Sequence, residues 1–306
     1  MTNSLPAALD DAAPVTGGSV TDFNRCRAHV LQRIAETQGS TWPFEHAFIE
    51  NIFPADYYAA LRAHMLAFKH SDKVSERHQD NPLYVNKRYN LVEDYSDVIG
   101  CFRRVFSDRE VKQAILRKFY RVPSAALADA LAIHEEFEFV FTEAGRFQNI
   151  HIDIPPKFLS LVFYIPEHPV TPEQEERNAT ILYDKELKPH YLARFKANSV
   201  CTFVPQFSSY HGFSSTIDRD ALVMFYVNGD ALRQWQSIRK AAKDQPPFTG
   251  LLDAIEQKLK DHPLMSFDEE GRRLAEERAA CLVNAPQGRV LVDEHGKPLP
   301  KDTHPE

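Results

Sequence analysis

Between residues 135 and 228 the chain is divided into short segments that alternate apolar and polar residues or run continuously apolar, each closed by turn formers. They read EFEFVF, FQNIHIDI, FLSLVFYIP, ATILYD, HYLARFK, SVCTFV, SSYHGF and DRDALVMFYV. Strands packed this closely, with no room for crossover helices, predict a sandwich or barrel rather than a parallel α/β sheet. At 306 residues the length alone suggests two domains of roughly 150 residues each. The pattern instead predicts an α+β protein with one β core of about 95 residues, flanked by N- and C-terminal helices.

Residues 1–20 lack periodicity and are expected to be a flexible leader. From Asp22 the pattern is helical: Phe23, Cys26, Val30, Leu31 and Ile34 recur at three- and four-residue spacing. Pro54-ADYYAALRAHMLAFK repeats that signature, FEHAFIENIF between them suits a short strand, and further helices are expected near 96–106, 109–119 and 123–132. Residues 70–95 are polar and aperiodic, so a long loop is expected there, a candidate substrate cover. The working division is a domain over 21–230 and a helical extension over 231–306, ending in a small hairpin in GRVLVDEHGKPLP. That extension would pack on the core or at a subunit interface, with Leu274, Cys281 and Leu282 on one face and a homodimer as one outcome.

A net charge of -7 lacks the basic excess that nucleic-acid binding requires. Cys26, Cys101, Cys201 and Cys281 form no C-x-x-C pair and read as isolated reduced thiols. No signal-peptide pattern opens the chain and no run approaches 18 apolar residues, so a cytoplasmic protein with no membrane partner is expected.

Within the strand Phe147-QNIHIDI, alternation puts Phe147, Asn149, His151 and Asp153 on one face. His151 and Asp153 then form a two-armed clamp suited to a borderline divalent metal such as Fe(II). A second histidine, His211 in SSYHGF, would complete a 2-His-1-carboxylate triad with positions left open. H-x-D alone is a weak signal: His70-Ser-Asp72 and His78-Gln-Asp80 also occur, in the polar loop, and His134-Glu-Glu136 is the main rival. Arg219 opens the last strand with Ala221, Val223 and Phe225 on its face; an inward guanidinium needs an anion, and its planar fork matches a carboxylate. The bland alternative is a surface ion pair with Asp218 or Asp220. Tyr164 can offer a hydroxyl to the same carboxylate or be a core aromatic.

The order HID at 151–153, LVFYI at 161–165, YHGF at 210–213 and RDALVMFYV at 219–227 resembles the 2-oxoglutarate/Fe(II)-dependent dioxygenases, nearest to their prolyl-hydroxylase-like branch and its bacterial relatives. The resemblance implies a double-stranded β-helix, a cupin-like jelly roll, with His151, Asp153 and His211 as catalytic iron ligands. Arg219 would clamp the distal carboxylate of 2-oxoglutarate and Tyr164 would assist. It further implies O2 as oxidant, ascorbate as a supporting reductant, and hydroxylation of an unactivated C–H with release of succinate and CO2. Related halogenases carry a small residue where Asp153 stands, so the carboxylate favours hydroxylation or another oxidative outcome such as desaturation. The expected partner is a small-molecule substrate, an amino acid or biosynthetic intermediate, touched by Asn149, Lys157 and Arg88, with Lys87 beside the last in the candidate cover. Two other readings stay open: a cupin-like metal-dependent isomerase or hydrolase, and a non-catalytic jelly-roll binding module.

Overall fold

The computed structural model describes residues 19–69, 71, 74–77, 86–91, 94–119, 133–151, 153, 157–184, 188–205, 209–228 and 289–290. Most of the leader, the helix expected over 123–132 and nearly all of the C-terminal extension, with Leu274, Cys281 and Leu282, lie outside these residues. So do His70, Asp72, His78 and Asp80.

Four described helices precede the central strands. Asp22 caps α1 (Phe23–Glu36) by accepting from the Arg25 N–H at 2.8 Å, which satisfies one of the donors a helix start leaves unpaired. After the strand β1 (His46–Glu50) comes α2 (Ala55–Lys69), and Ser96 caps α3 (Asp97–Ser107). Asp108 then starts α4 (Arg109–Leu116), its carboxylate accepting from the N–H groups of Glu110 and Val111. Between α2 and α3 lie β2 (Ser75–Arg77) and β3 (Asn86–Asn90).

All eight strands expected over the central segment form. They are β4 (Ile133–Thr142), β5 (Phe147–His151), β6 (Lys157–Tyr164), β7 (Thr180–Tyr183), β8 (Pro189–Ala193), β9 (Ser199–Phe203), β10 (His211–Ser214) and β11 (Arg219–Asn228). A short helix α5 (Pro172–Arg177), closed by a Thr171/Gln174 capping box, precedes β7. Near the C-terminus is β12 (Arg289–Val290). A seven-stranded antiparallel sheet runs β1-β9-β6-β11-β4-β3-β2, and a five-stranded one runs β12-β5-β10-β7-β8.

Two corrections concern the segments flanking this core. Residues 75–77 and 86–90 are not loop: they extend the larger sheet beyond β4, placing Lys87 opposite Phe141 and Arg88 opposite Val140. Backbone pairing with an existing strand edge makes these strands, and that leaves no hydrophobic period to read. Tyr89 anchors them, stacked 4.4 Å from Phe68. At the other end, Arg289 and Val290 pair with His151 and Ile150 of β5 rather than within a tail hairpin; the rest of the tail is outside the described residues.

The larger sheet is buried on both faces. Leu159, Leu161 and Phe163 of β6, with Leu222, Met224 and Tyr226 of β11, pack against Cys26, Val30, Tyr57, Phe102 and Phe106 from the helices. Phe163 sits 5.5, 5.4 and 5.2 Å from the rings of Phe53, Phe102 and Phe106. Burying each such side chain contributes about 1.5–3 kcal/mol. The opposite face, carrying Tyr164, Cys201 and Phe203, meets Leu182, Ala193 and Phe195 and forms the interior between the sheets. Cys26, Cys101 and Cys201 are buried free thiols, as expected; α1 and α3 bring the first two near enough to shift each other, Cys26 up and Cys101 down, and the Cys26 thiol donates to the Val20 carbonyl at 3.8 Å.

One ion cluster sets which way β11 faces. Lys69 at the end of α2 donates to Glu167 at 2.6 Å and to Asp218 and Asp220 at 2.9 Å each. Burial opposes the ammonium, but these three bonds outweigh it and raise its pKa. Asp220 is fully buried, and burial pushes its carboxyl up to about 6 despite the Lys69 contact. A carboxyl whose pKa rises on folding favours the fold below its unfolded value and loses that contribution as pH rises through the folded one. Between pH 4 and 7 the Asp220→Asn variant is therefore expected to lose less stability than wild type. The difference should reach at most about 3 kcal/mol in urea titrations; parallel pH curves for the two proteins would refute it.

Candidate active site

Antiparallel pairing of β5 with β10 sets His211 opposite His151, so two histidines far apart in sequence share one rung of the smaller sheet. His151 is placed here by its backbone alone. His211 is buried, and its Nδ1–H donates to the Ser209 carbonyl at 2.9 Å. That bond selects the tautomer with the lone pair on Nε2. Burial lowers the His211 pKa, opposed by the nearby Asp153 carboxylate, so the ring is held in the neutral form that ligates metals. The Phe203 ring covers it, centroid to centroid 4.4 Å.

Asp153 lies just past the end of β5 and is fixed from β6. Its Oδ1 accepts from Lys157 Nζ at 2.6 Å, and its Oδ2 accepts from the Ser160 hydroxyl. Each carboxylate oxygen has more than one acceptor direction, so this anchoring is compatible with metal ligation. Among the described side chains no three His, Cys, Asp or Glu groups converge; a centre here would need His151 as its third member. The donor set of two imidazoles and one carboxylate fits Fe(II) with open positions. The rival pair has a different setting: His134 and Glu136 face each other at 3.5 Å, each nearly half exposed.

Arg219 points into the interior. Only 3% of it is exposed; Nε donates to the Asn178 carbonyl at 3.0 Å and one Nη to Thr180 Oγ1 at 2.7 Å. Among the described residues no carboxylate pairs with it. Asp218 and Asp220, flanking it on the strand, turn to Lys69 on the other face, which disposes of the surface ion-pair alternative. Rings of Phe213, Tyr164 and Phe195 surround the guanidinium at 3.7, 5.1 and 5.5 Å. Burial lowers its pKa, yet guanidinium remains charged at any physiological pH. Tyr164 is fully buried; its hydroxyl meets Thr180 Oγ1 at 2.6 Å and donates to the Ala193 carbonyl at 3.3 Å. Arg219, Thr180 and Tyr164 thus form one hydrogen-bonded chain. The same interior holds the Cys201 thiol, which burial pushes up to about 12.

The remaining candidates are less central. Lys157 belongs to the Asp153 cluster. Arg88 forms an ion pair with Glu138 on the adjoining strand, and Lys87 pairs with Glu143 at 2.6 Å. Asn149 lies on β5, but its side chain is outside the described atoms. Ser160, Thr180 and Phe203 were not singled out from sequence. No motif marks them, because their roles arise only when β6, β7 and β9 line the same interior as β10 and β11.

Two facing antiparallel sheets, with β5 and β10 adjacent in the smaller one, define the class: a double-stranded β-helix with helices packed outside the larger sheet. No family model and no curated protein matches the sequence. Among solved structures, a prolyl-4-hydroxylase from Pseudomonas putida is similar with a TM-score of 0.50 at 14% identity, over 66% of this chain and 98% of that one. A prolyl hydroxylase from Trichoplax adhaerens, in complex with a hypoxia inducible factor oxygen degradation domain peptide fragment, follows at 0.47 and 12%, over 67% and 90%. Prolyl 4-hydroxylase from Phytophthora capsici gives 0.47 and 12%, over 90% and 93%. At these identities the likeness is one of fold.

Proposed function

We propose that this chain is a 2-oxoglutarate- and Fe(II)-dependent oxygenase that hydroxylates an unactivated C–H of a small metabolite, releasing succinate and CO2. One observation carries the reading: the interior that holds His211 also holds Arg219, a buried guanidinium with no carboxylate partner among the described residues. Phe213, against which Arg219 packs, lies two residues along β10 from His211, roughly 7 Å of strand rise. A five-carbon dicarboxylate would bring one carboxylate to the metal and the other to this guanidinium.

In this reading His151, His211 and Asp153 hold Fe(II), which with 2-oxoglutarate supplies the O2-activating chemistry. Ser209 fixes the His211 tautomer, and Ser160 and Lys157 fix the Asp153 carboxylate. Arg219 and Thr180 receive the distal carboxylate, with Tyr164 holding Thr180 in line. Phe203, Phe213 and Phe225 wall the site against water, which strengthens these charge interactions. A cupin-like isomerase or hydrolase would have no use for the buried Arg219. Arg88 and Asn149 are the proposed substrate contacts, whereas Lys157 stays with Asp153.

The test needs no substrate. Purified protein supplied with Fe(II), ascorbate and 2-oxoglutarate is expected to release succinate slowly without a substrate, the release rising when metabolite pools contain one. Affinity for neither Fe(II) nor 2-oxoglutarate would overturn the assignment.

A further inference from the structure

Lys157 opens β6 four residues after Asp153, and its ammonium is held on two sides. Nζ donates to Asp153 Oδ1 at 2.6 Å and sits 3.3 Å from the centre of the Phe225 ring, a cation–π contact on the interior face of β11. The side chain is 14% exposed, and Asp153, 9% exposed, is the one acidic group that pairs with it among the described residues. The charges around this pair are otherwise settled. Arg88 is bound to Glu138, and Glu136, opposite Phe225 in the β4–β11 register, is nearly half exposed and faces His134. The ammonium thus occupies ground beside the very carboxylate that the proposed function gives to a metal.

We propose that Lys157 is the resident counter-cation of the metal centre, a positioning residue that holds Asp153 in its ligating place while the site is empty and sets how tightly a divalent cation binds. The inference rests on the assignment of His151, Asp153 and His211 as metal ligands. An unpaired carboxylate in so covered a place would be costly, and the ammonium removes that cost. A divalent ion on Asp153 must then share the carboxylate with a second positive charge in a setting where water screens poorly. Position and repulsion pull in opposite directions, and repulsion dominates: Ser160 still anchors Oδ2 when Lys157 is gone, whereas the competing positive charge leaves with the ammonium. Lys157 therefore weakens metal binding, a role the sequence does not mark.

Mn(II) serves as the probe, titrated into metal-free full-length protein by calorimetry without 2-oxoglutarate or turnover. Lys157→Met keeps the length and packing of the side chain but not its charge and is expected to bind Mn(II) at least about tenfold more tightly. Lys157→Arg, which keeps the charge, is expected to bind within about threefold of wild type. If the Met variant does not fold, as judged by circular dichroism, Lys157→Gln carries the same expectation. A loosened site binds more weakly, so a gain in affinity cannot come from structural damage. Wild-type or weaker Mn(II) affinity in the charge-free variant overturns the proposal. A wild-type protein that binds no Mn(II) overturns instead the metal assignment beneath it, so the two failures are distinguishable.

Discussion

Replacing His211 by alanine is expected to abolish Fe(II)-dependent succinate release and to weaken Fe(II) binding by well over 100-fold, while the protein stays folded. Loss of a hydrogen-bonding partner outside the coordination sphere already costs about 10–100-fold in such centres, and His211 is assigned inside it. The ring also donates from Nδ1–H to the Ser209 carbonyl and packs against Phe203, and loss of such a bond with some packing costs only a few kcal/mol. His151→Ala and Asp153→Ala are expected to behave alike, because three ligands act as a unit. The measurement is Fe(II) affinity by anaerobic titration beside 2-oxoglutarate consumption, with circular dichroism to show retained structure. A folded His211→Ala protein that turns over 2-oxoglutarate at the wild-type rate would remove His211 from the centre.

A variant at Arg219 is expected to separate cosubstrate binding from metal binding. Arg219→Ala is expected to raise the 2-oxoglutarate dissociation constant by about 30- to 5000-fold, the range for truncating one partner of a buried charge pair, and to leave Fe(II) affinity nearly intact. Arg219→Lys is expected to rescue little. An ammonium cannot reproduce the planar fork that donates to Asn178 O and Thr180 Oγ1 while presenting its charge among the Phe213, Tyr164 and Phe195 rings. Thr180→Val leaves the charge in place and removes the hydroxyl link to Tyr164, so its effect should be smaller and fall on the same constant. Lost metal affinity with unchanged 2-oxoglutarate affinity in Arg219→Ala would contradict the role.

Much of this molecule is written in local patterns. The β core could be read because each strand alternates or runs apolar over its own few residues, and α1, α2, α3 and α4 because their apolar residues recur at helical spacing. The two-residue period of a strand singles out His151 and Asp153 in the sequence, although β5 ends at His151 and Asp153 lies beyond it, and Arg219 stands out at the head of an apolar strand. The strands β2 and β3 were not legible: they exist because the edge of β4 offers backbone partners, and their own side chains carry no period. The nearness of Cys26 to Cys101 was likewise hidden, since it depends on how α1 lies against α3.

By itself, then, the sequence determined the strand-rich core, the helices before it, and the residue types able to hold a metal and an anion. Local periodicity dictates which side chains share a face, whatever the rest of the chain does. Only the tertiary structure decided which of those faces meet. It set His211 across from His151, turned Asp218 and Asp220 toward Lys69 so that Arg219 faces inward without a carboxylate partner among the described residues, and gave Thr180, Ser160 and Lys157 their partners. Those outcomes belong to strand register and sheet packing, which are properties of pairs of distant segments and are encoded in no single stretch of residues.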